Sequence, residues 1–330
     1  MPKKVLLIRL SSLGDVVLTS ALLEPLYGNS FEVHLLTFNP FGGVFKDDDR
    51  VKVIQTTKAE FKKNLKTLVE RLNGENYFAI LDLHSNLKSF LLRRKLRAEV
   101  KAVYDKRALF RRICVFLNRF GLAERLKRNT FSVVKAYAET LRVLGIKPEK
   151  PRPFIKVNET EVEKLLEKYD LKRGNFAVLG IGARYRKKEY SQFDKLAELL
   201  NRKGYKVVLI GDRRDYEKSK NWRGVVNLCG KLSLIESLRL LSAAKLFIGN
   251  DSGTSHMARA VKVPTAVIYG GTHPCLGFAP EPDEGIVITK NLPCSPCDLH
   301  GKGDCGRNLE CLRIPPEEIL EKVEAAFGGI

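Results

Sequence analysis

The sequence predicts two α/β domains in tandem, each a mainly parallel, Rossmann-like sheet flanked by helices. Three observations carry this. Short apolar runs alternate with amphipathic stretches along the whole chain, the pattern of strand–helix–strand crossovers. A segment with three prolines, GIKPEKPRPF at residues 145–154, disfavours helix and divides those runs into two sets. Finally, 330 residues with 44% hydrophobic content suit two cores of ordinary size. The division is placed at residue 150, giving domains 1–150 and 151–330.

In the first half, KVLLIRL, EVHLLTF, VKVIQ and FAILDL are short, apolar and β-branched, and read as strands. Between and after them, helical spacing predicts helices over 14–27, 61–72 and 130–144. In the second half FAVLGIG, KVVLIGD, VVNLCG, LFIGND and TAVIYGG read as strands, with helices over 191–203 and 234–243. A last helix is expected at about 315–327. No run of about 18 apolar residues occurs, and MPKK leads into VLLI without the apolar region of a signal peptide, so the chain is expected to be cytoplasmic.

Ligands of open parallel sheets gather beyond the carboxyl ends of the strands, and the polar motifs fall there. The first strand is followed by RLSSLGD, which lacks the G-x-G-x-x-G of a dinucleotide fingerprint and offers Ser11, Ser12, Gly14 and Asp15 instead. Asp15 either stabilises a helix start or, if it faces a cleft, is the carboxylate of that turn able to take a proton from an incoming hydroxyl. GARYRKKEY places Arg184, Arg186, Lys187 and Lys188 after another strand, as a solvated loop or as cations for a leaving diphosphate. GNDSGTSH supplies Asp251, Ser252, Gly253, Thr254 and His256 at a helix N-terminus, where unpaired amides favour an anion. A helix cap would employ one of these side chains and leave Thr254 and His256 without a task, which favours binding.

Charge and cysteine usage add two constraints. Residues 1–150 hold 29 of the 58 basic residues but 15 of the 38 acidic ones, and residues 88–128 hold 14 basic against 3 acidic. That stretch is either a solvated helix face or a surface for nucleic acid, anionic lipid headgroups or a phosphorylated glycan. Phe90, Tyr104, Phe110, Phe116 and Phe120 within it are assigned to the core, so base stacking is poorly supported and nucleic acid is not expected as a partner. Cys294, Cys297, Cys305 and Cys311 form C-x2-C-x7-C-x5-C, which leaves open a structural zinc, two disulfides or four reduced thiols; a structural role is favoured. His34, His84 and His273 suit structural and functional roles equally.

Taken together, KKVLLIRLSSLGDVVLTSALLEPL, LDLHSNLKS, the Lys188 loop, VVLIGDRRDYE and residues 227–274 resemble the bacterial ADP-heptose:lipopolysaccharide heptosyltransferases of glycosyltransferase family 9. The resemblance covers nearly the whole chain and is most specific over Asn250–Pro274. It implies a GT-B fold, two Rossmann-like domains facing each other across a cleft, the acceptor in the N-terminal one and the nucleotide sugar in the C-terminal one. The last helix would pack back onto the N-terminal domain. It also implies an inverting displacement with no cofactor required for catalysis, Asp15 as general base and Lys188 on the donor phosphate. Asp251 would hold heptose hydroxyls, with Ser252, Gly253, Thr254 and His256 around the diphosphate and Ser12, Gly14 and Arg184 completing the donor site. The acceptor, a Kdo- or heptose-ended lipid A core at the inner leaflet, would meet Lys88, Arg93, Arg94, Arg111 and Arg112, with peripheral membrane contact. A cysteine-rich segment before the last helix leans the resemblance toward the second heptosyltransferase type. Two positions depart from the family pattern: Tyr190 stands where tryptophan is usual and Gly271 where proline is. A nucleotide-sugar epimerase or hydrolase of the same fold and a basic nucleic-acid-binding module are the competing readings.

Overall fold

Burial on both faces of the strands organises the first of two structural units. In the computed structural model, which describes residues 2–118, 120–128 and 131–328, this unit comprises Met1–Lys106 and Val133–Lys156. Its sheet contains β1 (Lys4–Ile8), β2 (Glu32–Phe38), β3 (Val51–Thr56), β4 (Ala79–Asp82) and β5 (Val100–Val103). All pair in parallel, in the order β3-β2-β1-β4-β5. Val5, Leu6, Leu7 and Ile8 of the central strand are wholly buried, as expected for a strand covered by helices on both faces. One face packs Leu6, Ile8, Leu36, Ile54 and Ile80 against Phe61, Leu72 and Leu92 of the crossover helices.

The second unit, Arg107–Ser132 with Val157–Ile330, contains β6 (Phe176–Gly180), β7 (Lys206–Ile210), β8 (Val225–Asn227), β9 (Leu246–Asn250), β10 (Thr265–Ile268) and β11 (Gly285–Ile288). These are again parallel, in the order β11-β10-β9-β6-β7-β8. Both sheets therefore have a topological switch point beside their first strand: between β1 and β4 in one unit, between β6 and β9 in the other.

The nine strands read from sequence are all present, and two more join them. The sequence reading passed over β5 because its residues alternate between half-buried and exposed, and over β11 because four residues between loops give little pattern. The helix expected over 14–27 tightens to 3₁₀ geometry at Thr19–Leu22; Pro25 has no N–H to extend the ladder back to Ala21. That over 61–72 is broken at Asn64 into Lys58–Lys63 and Leu65–Gly74. Over 130–144 the structure has Val133–Ala138 followed by the 3₁₀ turn Glu139–Leu144, and Thr130 lies outside the described residues.

Domain assignment needs three corrections. The boundary moves from residue 150 to 156, because the segment after the prolines is tied to the first unit. Arg50 donates to the Phe154 carbonyl (2.9 Å), the Lys156 amide donates to Asp48 (3.1 Å), and the Lys156 ammonium pairs with Asp49 (2.7 Å). Residues 107–132 belong to the second unit. Cys114, Val115 and Ala123 pack on Cys275 and Leu276, and Asn118 donates to the Pro296 carbonyl at 3.2 Å. The last helix, Pro316–Phe327, belongs to the second unit, whose core Ile319, Leu320 and Val323 enter beside Phe193, Leu196 and Leu200. Three aromatics assigned to the core are exposed instead: Phe90, Phe116 and Phe120.

Truncating a fully buried core side chain costs about 2–5 kcal/mol. We predict that Ile319→Ala lowers the stability of the second unit by that amount, read from urea unfolding followed by the fluorescence of Trp222, which packs on the same core. Lys322→Ala, on the exposed side of the helix, should change it by less than about 0.5 kcal/mol.

Candidate active site

At the switch point of the first unit, the chain leaves β1 through Arg9 and turns into the helix Leu13–Leu18. Arg9 is 7% exposed and pairs with Asp15 at 2.6 Å, while its other terminal nitrogen donates to the Leu83 carbonyl at 2.6 Å. The other oxygen of Asp15 accepts from the Ser12 hydroxyl (2.8 Å) and the Ser12 amide (3.3 Å). Burial opposes a charge on Asp15, but the Arg9 guanidinium and the two bonds from Ser12 outweigh it and hold the carboxyl below its usual pKa. Asp15 is thus an anion across the working pH range. Gly14, buried in the first turn of that helix, brings Asp15 to the strand end without adding a side chain there.

The chain leaves β4 on the other side of the same switch point. Asp82 turns back to accept from the amides of His84 (3.0 Å) and Ser85 (2.8 Å), with Arg93 at 3.4 Å from its second oxygen. His84 is 8% exposed, and its Nδ1 is buried with no hydrogen-bond partner. Burial, then the positive charge of Arg9, push its pKa down to about 3, so the ring is neutral. Sequence reasoning left His84 undecided and missed Arg9. The available signal was that both directly follow strands that the topology makes neighbours.

In the second unit the turns after β6 and β9 meet in the same way. Lys188 pairs with Asp251 at 2.8 Å, and the Thr272 hydroxyl donates to the same carboxylate oxygen at 2.8 Å. Burial disfavours the Asp251 anion, but Lys188 foremost, with His256 and Thr272, keeps its pKa below the usual value. Asp251 is therefore not a helix cap. Nor does the Ser252 side chain cap the helix Gly253–Ala260; its hydroxyl meets that of Thr254 at 2.8 Å. The opening amides of that helix are left without a side-chain cap, beside an ammonium group. Arg259, 3% exposed and paired with Glu284 at 2.8 Å, lies 3.1 Å from Nδ1 of His256. A guanidinium can only donate, so Nδ1 accepts and the proton of the neutral ring sits on Nε2.

The remaining candidates separate. Arg184 is exposed and lies over the Tyr185 ring, away from the Asp251 cluster's hydrogen bonds. Lys88, Arg93 and Arg94 lie on the helix Leu87–Lys95 of the first unit, whereas Arg111 and Arg112 lie on Ala108–Asn118 of the second. Among the described residues no group of three His, Cys, Asp or Glu side chains is arranged to hold a metal, and all seven cysteines are free thiols. Three thiols of the cluster have local partners. Cys297 Sγ lies 3.4 Å from the Gly271 carbonyl, Cys305 Sγ accepts from the Leu309 amide at 3.4 Å, and Cys311 is buried in the core.

That cysteine-bearing loop supports the Lys188 loop. Ser295 donates to the Gly270 or Thr272 carbonyl (2.9 Å each), and the Cys297 amide donates to the Gly271 carbonyl (3.0 Å). Gly271 in turn donates its own N–H to the Lys187 carbonyl at 2.7 Å, a bond that proline could not make. A Cβ there would lie 2.8 Å from Lys187, so the departure at this position has a local purpose. Tyr190, the other departure, is buried on Phe193 and donates its hydroxyl to the Ile314 carbonyl at 2.7 Å.

Residues 65–302 match the model of glycosyltransferase family 9 (heptosyltransferase). The chain belongs to this family. A lipopolysaccharide heptosyltransferase 1 of Campylobacter coli is 23% identical to this family 9 enzyme, with 98% of this chain and 99% of the relative covered. A lipooligosaccharide heptosyltransferase 2 of Haemophilus influenzae is 27% identical, over 52% of this chain and 54% of the relative, so that alignment spans about half of each. Both heptosyltransferase types are thus among its relatives. The fold is that of the GT-B heptosyltransferases. Escherichia coli WaaC, solved with ADP, matches at a TM-score of 0.72 and 20% identity, covering 98% of this chain and 99% of WaaC.

Because the folded ring of His84 binds its proton near pH 3 and an unfolded histidine near about pH 6.5, acidification through that interval weakens the fold. We predict that the His84 ring signals in NMR do not titrate between about pH 8 and pH 5, and that Arg9→Met moves their midpoint upward.

Proposed function

We propose that this family 9 enzyme transfers heptose from ADP-heptose to the inner core of lipopolysaccharide by one inverting displacement. The observation that carries the reading is Asp15, a half-buried carboxylate kept ionised by Arg9 and Ser12 at the switch point of a Rossmann-like unit. As the acceptor hydroxyl approaches, Asp15 takes its proton, the hydroxyl oxygen bonds to the anomeric carbon, and the bond from that carbon to the diphosphate breaks. ADP leaves with the electron pair. Lys188 and the uncapped amides of Gly253–Ala260 stabilise the charge that develops on it. Support for the donor comes from the WaaC complex with ADP-2-deoxy-2-fluoro heptose, which has the same fold.

Asp251 holds Lys188 in place while free and turns to the heptose hydroxyls when the sugar arrives. His256, its Nε2 proton fixed by Arg259, donates toward the diphosphate. His84 offers its unpartnered Nδ1 to the acceptor. Lys88 and Arg94, exposed on their helix, meet acidic groups of the core glycan. The reaction takes place on the cytoplasmic side of the inner membrane, where a lipid-anchored acceptor is presented. Among the described residues no helix is long and apolar enough to cross a membrane.

Two substitutions separate the roles. Asp15→Asn should lower kcat by about 10²–10⁴-fold while the Kd for ADP stays within about twofold; near-normal turnover would remove Asp15 from the chemistry. Lys188→Met should raise the Kd for ADP by about 10–100-fold in calorimetry, as expected for a lost charge-assisted bond, and an unchanged Kd would place the diphosphate elsewhere. Offering ADP-heptose with cores ending in Kdo or in a first heptose, and weighing the products, identifies the acceptor. Loss of heptose without any acceptor would favour a hydrolase.

A further inference from the structure

Among the described residues eleven large apolar side chains are exposed, and five of them fall within residues 109–122. Leu109, Ile113 and Phe116 follow one face of the helix Ala108–Asn118 at helical spacing, and Phe120 and Leu122 continue the patch in the turn beyond it. Exposures of 72% for Leu109, 57% for Phe116, 65% for Phe120 and 68% for Leu122 mean that the unit leaves this face uncovered. The rings of Phe116 and Phe120 pack edge to face at 5.5 Å, so the patch is continuous.

The opposite face of the same helix is already used. Cys114 and Val115 pack on Cys275 and Leu276, Asn118 donates to the Pro296 carbonyl, and beyond the helix Lys127 donates to the Pro293 carbonyl at 3.2 Å. The outer row is thereby held on a formed platform and needs no folding transition to engage a partner. The surrounding charge selects that partner. Residues 107–128 contain seven basic side chains and one acidic one, Glu124, which is paired with Lys127 at 2.9 Å. Arg107, Arg112, Arg125 and Arg128 are exposed around the apolar row. An apolar stripe bordered by arginines matches a surface that is apolar at depth and anionic above.

We propose that this helix and the following turn dock the enzyme on an anionic lipid bilayer, with Leu109, Ile113, Phe116, Phe120 and Leu122 entering the interface and the arginines lying at the headgroups. The inference rests on the reading that the acceptor is presented at the inner membrane and adds the face that meets the bilayer; the vesicle test uses neither donor nor acceptor, so its failure leaves the transfer chemistry standing.

Flotation of the full-length protein with phosphatidylcholine–phosphatidylglycerol vesicles, and with phosphatidylcholine vesicles, tests it. The wild type should bind the anionic vesicles at least tenfold more strongly than the neutral ones, and added salt should weaken that binding. The triple variant Leu109→Ser, Phe116→Ser, Phe120→Ser should lose at least tenfold in binding to anionic vesicles while the Trp222-detected unfolding midpoint is unchanged. Because these side chains are exposed, the variant should fold. Equal binding of variant and wild type, or no binding of the wild type to anionic vesicles, would overturn the proposal. So would a wild-type dimer that the variant converts to monomer without any vesicle binding, which would assign the face to self-association.

Discussion

A carboxylate largely withdrawn from water beyond the end of a parallel strand stays ionised when an opposite charge lies against it, and this constraint shapes both units. Desolvating an isolated charge costs far more than a domain's stability can offset, so the group would otherwise take up a proton. Asp15 has Arg9, and Asp251 has Lys188. Each pair bridges or borders the two loops that diverge at a switch point: Arg9 reaches from the end of β1 to the Leu83 carbonyl after β4, and Lys188 reaches from the turn after β6 to the turn after β9. The ion pairs thus join elements that the topology brings together.

The two pairs have different chemical characters. Arg9 is wedged between a carbonyl and a carboxylate, and a guanidinium does not give up its proton, so Asp15 is kept as an anion whose remaining lone pairs are free to accept. Lys188 sits on a three-residue 3₁₀ turn whose backbone is tied down by Gly271 and, through it, by the cysteine-bearing loop. An ammonium on a flexible stem can leave Asp251 for a phosphate. The first pair suits a fixed base and the second a cation that changes partner. The departures at Gly271 and Tyr190 keep this arrangement by other bonds: one supplies an N–H to the Lys187 carbonyl, the other a hydroxyl to the Ile314 carbonyl.

The central strands and the polar motifs were legible in the sequence because buried parallel strands are continuous apolar runs and because Asp15, Lys188 and Asp251 lie in the turns that follow such runs. The weak strands β5 and β11 were not, since few of their residues are buried on both faces. The placement of residues 107–132 was illegible for a different reason: it depends on Cys114 meeting Cys275, 161 positions away, and local periodicity cannot report that. The same limit hid the destination of the last helix, whose apolar spacing does not say which core it enters. Arg9 escaped notice because an arginine at a strand end looks like any solvated charge until the fold buries it. In the cysteine cluster, spacing could not show that Cys297 and Cys305 meet backbone groups or that Cys311 enters the core.

The role of the Arg9–Asp15 pair is tested most directly by the pH dependence of kcat/KM for heptose transfer in the wild type and in Arg9→Met. With Arg9 present, the acid limb should lie below the ordinary aspartate value of about 3.9, because the carboxylate is held ionised. Without it, burial acts unopposed by the guanidinium, and the limb should move above that value while the alkaline limb stays in place. Coincident acid limbs in the two proteins would contradict the assignment of Asp15 as a base kept charged by Arg9.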